Sequence, residues 1–152
     1  MSDWGKETAN KLRANAQVMA QEAAAQLQRE KLRNDQGPRL WNEVREHVKA
    51  KCASLNREYG DEILTFVVVQ NPQLDVRFKA SSGKIHELKA TFEPSSADNA
   101  LRWKTSGHRL NESQTGTCSL SITNDTVSFL TGAHPYTPES IAEKMLNDLL
   151  LD

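Results

Sequence analysis

The chain has 152 residues, enough for one packed domain and too few for two of ordinary size. Nineteen Lys and Arg against twenty Asp and Glu leave a formal charge of −1, so no global field draws it to nucleic acid or an anionic membrane. Hydrophobic residues make up 38 % and aromatics 6 %, under the ~45–50 % usual for globular chains, a figure that also counts glycine, which places part of the chain outside the core.

No run approaches the ~18–20 apolar residues of a membrane span, and the longest, around Val67-Val68-Val69, has strand length. Asp3, Lys6, Glu7, Lys11 and Arg13 interrupt the first twenty residues, so no secretory signal pattern forms and a cytoplasmic location without a membrane partner is expected. Cys52 and Cys118 have neither metal-type nor redox-type spacing and read as buried free thiols.

Residues 6 to 34 hold seven alanines and no Gly or Pro, the composition of a long helix. Leu12, Ala16, Met19, Ala23 and Leu27 follow its 3.6-residue period, but a stripe so rich in alanine buries little area per turn and suits packing against another copy of the protein. Gly37-Pro38 predicts a break, because proline disfavours helix at the residue before it and suits a new first turn. A second helix is predicted over 38–58, with Leu40, Trp41, Val44, Val48, Cys52 and Leu55 on one face and Gly60 as its stop.

The period then changes to two, the signature of a sheet. Residues 62–70 are apolar on both alternations and predict a strand covered on both faces. Leu74, Val76 and Phe78 alternate with Asp75, Arg77 and Lys79; His86, Leu88, Ala90 and Phe92 alternate with Glu87, Lys89 and Thr91; Leu101 and Trp103 alternate with Arg102 and Lys104. After a polar loop at 106–116, Cys118, Leu120 and Ile122 point inward, Asn124-Asp125 turns, and Val127 and Phe129 pair back onto them. Thr137-Pro138-Glu139 opens a final helix whose apolar stripe is Ile141, Met145, Leu146, Leu149 and Leu150. The expected fold is α+β: an antiparallel meander of about six strands with helices on one face, preceded by a long alanine-rich helix. Residues 1–36 read as a helical extension and 37–152 as a single domain.

The chain has no Gly-x4-Gly-Lys, Gly-x-Gly-x-x-Gly, His-Glu-x-x-His or Gly-x-Ser-x-Gly pattern, so nothing points to a nucleotide loop, a zinc helix or a serine nucleophile, and neither cofactor nor metal is expected. His47, with Glu43 one turn before it, reads as half of a surface ion pair, and His86 as a rim residue; His108 and His134 fall in loops. The informative surface is the polar side of the sheet. The simplest pairing across Gly83 sets Lys79 against Glu87 and Arg77 against Lys89, and the next pairing sets Lys89 against Lys104. That gives a row of bases, Arg77, Lys89 and Lys104, with Arg102 beside it, able to receive an anion or an acidic partner. Nucleic acid is disfavoured, because Phe78, Phe92 and Trp103 share parity with the core and leave no stacking platform. The leading expectation is a non-enzymatic interaction module that self-associates through the alanine-rich helix or the first strand. Alternatives are a domain binding an anion or acidic partner on the basic row, and a small enzyme with dispersed catalytic residues around His86.

Overall fold

A computed structural model of the chain describes residues 3–67, 73–96, 98–107 and 114–151. The first element is one helix, α1, Trp4–Tyr59, 56 residues long with Pro38 inside it. The predicted break at Gly37-Pro38 is therefore absent. Gly37 is there for close packing: a Cβ on it would lie 3.2 Å from both Phe92 Cζ and Pro94 Cβ. Proline inside a helix costs about 3 kcal/mol. Burial of Trp41, Val44, Val48 and Cys52 in the following turns opposes that cost and carries the helix through. The helix ends as expected at Gly60, whose left-handed φ of 86° lets its N–H reach Asn56 O.

Seven strands follow: β1 Leu64–Val67, β2 Gln73–Lys79, β3 Ile85–Phe92, β4 Leu101–Ser106, β5 Thr115–Thr123, β6 Thr126–Thr131 and β7 His134–Tyr136. They pair antiparallel in chain order and curl into a half-barrel. The seventh strand, three residues that the sequence presents only as a connection, pairs with β6 through Phe129 and Tyr136. The strand predicted to be covered on both faces is instead the edge strand β1, with Leu64 buried and Thr65 exposed; Val68 to Gln70 lie outside the described residues.

Two hairpins show how turn chemistry sets register. Asn124 and Asp125 take φ of 50° and 60°, as a primed two-residue turn requires, and the expected pairs Ile122–Val127 and Leu120–Phe129 form. At Gly83 the expected register is displaced. Ala80 and Lys84 close a three-residue loop, with Ala80 N–H donating to Lys84 O at 2.9 Å and Gly83 at φ 86°. The observed pairs are Arg77–Glu87, Asp75–Lys89 and Lys79–Ile85. The displacement is even, so each side chain keeps its face while its opposite neighbour changes.

The last helix, α2, Pro138–Leu150, starts with Thr137 Oγ1 accepting from Ser140 N–H and Ser140 Oγ accepting from Thr137 N–H. It and the second half of α1 fill the concave side of the sheet. Trp41, Leu74, Val76, Leu88, Leu101, Phe129, Met145 and Leu149 are each at most 1 % exposed, so this concavity is a packed core. Trp41 stacks on Phe92 at 5.5 Å, and Trp103 Nε1–H donates to Asp148 Oδ2 at 2.9 Å, tying β4 to α2.

Candidate functional site

The convex face of the sheet carries the four bases singled out by the sequence, and the observed register separates them. Arg77 stands opposite Glu87, with Nε 3.6 Å from Oε1. Arg102 reaches Glu93 at 3.3 Å. Both pairs are solvent-exposed, the setting in which ion pairs contribute little. Lys89 and Lys104 remain directly opposed, as expected, and neither forms an ion pair among the described residues. Asp75 is the other cross-strand neighbour of Lys89. The expected row of three bases is thus a lysine pair flanked by one acid, because the turn at Gly83 brings Glu87 to Arg77.

The second surface is the N-terminal half of α1. From Asn10 to Lys31 every residue is exposed, and contact with the domain begins at Leu32. Leu12, Met19 and Leu27 are 64 %, 69 % and 67 % exposed, and Trp4 and Val18 are exposed too. These are five of the eight large hydrophobics that the described surface presents. The stripe is in phase with the core-facing side of the same helix: Met19 and Ala23 lie eighteen residues, about five turns, before Gly37 and Trp41. One amphipathic face thus runs the length of α1, covered by the sheet in its second half and bare in its first.

Where the helix leaves the domain, Gln36 holds it to the β5–β6 hairpin. Its Nε2–H donates to Asp125 O at 2.8 Å, and its Oε1 accepts from Val127 N–H at 2.9 Å. No residue pattern announces this contact, since its two partners lie about ninety positions away in sequence. Beside it, Ala25, Gln28, Arg29, Leu32, Ile122, Asn124 and Asp125 line an open groove of about 270 Å³. A smaller groove of about 160 Å³ lies between Glu30, Arg33 and Asn34 of the helix and Pro94-Ser95. Lys51 joins the two helices, its Nζ 3.0 Å from Glu143 and 3.3 Å from Glu139; hydrogen bonding to Glu143, chiefly, raises its pKa.

Among the described residues, the titratable groups buried inside the fold are two thiols. Cys52 and Cys118 are free and buried, as expected; burial pushes Cys52 up to about 11 and also raises Cys118, where a hydrogen bond with Thr131 works the other way. His86 is half-buried against Phe78, ring centroids 5.6 Å apart. No ion pair joins Glu43 to His47, contrary to the helical spacing; His134 is exposed at the start of β7, and His108 lies outside the described residues. Among the described residues no group of three His, Cys, Asp or Glu could hold a metal ion, and no helix is long and apolar enough to cross a membrane. Comparison with protein-family models, curated proteins and solved structures gives no match to this chain.

Proposed function

We propose that the protein is a non-enzymatic interaction module that self-associates through the projecting half of α1. The observation that carries this reading is a projecting helix of about 42 Å, Trp4 to Lys31 at 1.5 Å per residue, exposed at every residue except Thr8 and Ala9, whose Leu12, Met19 and Leu27 stay in phase with the buried face of the same helix. Contiguous exposed apolar surface on a soluble domain marks an interaction site. The free thiols support a reducing, cytoplasmic setting. Sedimentation of the full chain tests the reading: the parent associates, and Leu12→Glu with Met19→Glu shifts it to monomer without lowering the melting temperature of the domain. A parent that stays monomeric overturns it.

A second reading, binding of an anion or acidic partner on the convex face, is favoured by the direct opposition of Lys89 and Lys104, which form no ion pair among the described residues, since directly facing like charges gain most from a bound anion. Lys89→Glu would then abolish salt-dependent binding of inorganic phosphate or acidic peptide. A parent that binds neither removes this reading.

A further inference from the structure

We infer that the occupant of the bare face is the same helix of a second copy, running antiparallel, with Leu12 of each chain seated on Ala23 of the other. This rests on the self-association reading and adds the direction and register of the pair.

Three observations converge on it. Ala9, Ala16 and Ala23 recur every seven residues, with Leu12 and Met19 in the intervening core positions, a heptad in which small and large residues alternate. Antiparallel overlap turns this alternation into complementarity: Leu12 meets the partner's Ala23, and Met19 meets the partner's Ala16. Parallel in-register pairing instead stacks leucine on leucine and alanine on alanine, leaving thin layers where the helices cannot close.

The second observation is a stop provided by the tertiary structure. Pro94 and Phe92 cover the same helix face at Gly37, each 3.2 Å from where its Cβ would be, so an incoming helix cannot run past that point. The Leu12–Ala23 register places Trp4 opposite the partner's Lys31, beside Glu30 at the mouth of the Pro94-Ser95 groove and just short of Leu32, where contact with the hydrophobic core begins. The register chosen by the heptad is therefore the one that overlaps the two bare segments over their full length. A shift by one heptad either drives the partner into Pro94 or leaves a turn or more of each stripe uncovered.

The third is area. A stripe about 42 Å long and ~12 Å wide on each helix removes about 1,000 Å² in total, which reaches the lower bound for a specific interface.

Cysteine cross-linking of the full chain separates register from association. Cys52 and Cys118 are buried and do not compete. Leu12 and Ala23 of one chain lie about 16 Å apart along the helix, beyond disulfide reach, so a bond between cysteines at these positions must join two chains. Oxidised Leu12→Cys alone and Ala23→Cys alone remain single chains on a non-reducing gel, whereas an equimolar mixture gives a covalent dimer; a bismaleimide shorter than 16 Å gives the same pattern. Linkage within either single variant means parallel pairing or an antiparallel pair centred on that residue, and overturns the inference while leaving self-association intact. So does linkage of Leu12→Cys with Ala16→Cys but not with Ala23→Cys. A monomer in sedimentation with no cross-link in any mixture overturns both.

Discussion

Trp103 lies over Gly116, its direct partner across the β4–β5 pairing, so closely that a Cβ on Gly116 would fall 2.0 Å from the indole Cζ2. The indole is held from the other side by its hydrogen bond to Asp148, so the ring has little freedom to retreat. Gly116→Ala must therefore displace Trp103 or open the strand pair, at about 1–3 kcal/mol, the usual cost of over-packing. In a chain of this size that lowers the melting temperature by roughly 2–4 °C per kcal/mol. Gly5→Ala, where a Cβ meets nothing within 4 Å, is the control and should be neutral or slightly stabilising. Equal melting temperatures for parent and Gly116→Ala would remove the account.

Asn56 fastens the end of α1 to the edge strand. Its Oδ1 accepts from Ile63 and Leu64 N–H at 3.0 and 2.9 Å, and its Nδ2–H donates to Leu64 O at 2.8 Å. Asn56→Ala removes all three half-buried bonds and should cost about 2–3 kcal/mol in urea unfolding. Asn56→Asp, which keeps the acceptor, should lose less. Amide exchange at Ile63 and Leu64 should quicken in the alanine variant; unchanged exchange there would show that β1 is held by other means.

The register at Gly83 has an electrostatic signature. Arg77→Glu sets two carboxylates opposite each other, at Arg77 and Glu87, and should destabilise by a few tenths to about 1 kcal/mol. Under the register expected from the sequence, the same change would face Lys89 and stabilise. Lys104→Glu, opposite Lys89, should stabilise by a similar amount, and added salt should shrink both effects. A stabilising Arg77→Glu would contradict the pairing.

The buried thiols give the fold an alkaline limit. In the unfolded chain a cysteine ionises near ~8.5, whereas burial pushes Cys52 up to about 11. The folded state thus keeps a proton that the unfolded state releases. This contribution is fully present below pH ~8.5 and is lost as the pH rises toward about 11. Urea midpoints should hold from neutral pH to ~8 and then fall, with a shallower fall in Cys52→Ala. Both thiols should resist a thiol reagent until urea unfolds the chain. Rapid labelling of the native protein would contradict their burial.

Much of this fold is legible in local pattern. The capping of α2, the stop at Gly60, the Asn124-Asp125 hairpin and the inward parity of β2 to β6 follow from side chains acting on their immediate neighbours. The misread features share one cause, an outcome that depends on a distant contact. Pro38 signals a break that burial of Trp41 and Val44 overrides, and Gly37 is read as punctuation although Phe92 and Pro94 require its small size. The candidate surfaces divide the same way. The bare stripe on α1 shows in the spacing of Leu12, Met19 and Leu27, while the row of bases dissolves because a turn centred on Ser82 and one centred on Gly83 preserve the same parity.

The sequence by itself determined which residues of β2 to β6 and of the helices face the core, where most elements stop, and that residues 1–36 hold too little apolar surface to pack a domain, because periodicity, capping and turn conformation are short-range. Only the tertiary structure decided that α1 is one helix, that Arg77 meets Glu87, that β1 lies at the edge, and that Pro94 closes the helix face at Gly37. Apart from the Arg77–Glu87 register, which the loop between Ala80 and Lys84 sets, each of those depends on elements far apart in the chain competing for the same space, and local sequence carries no record of that competition.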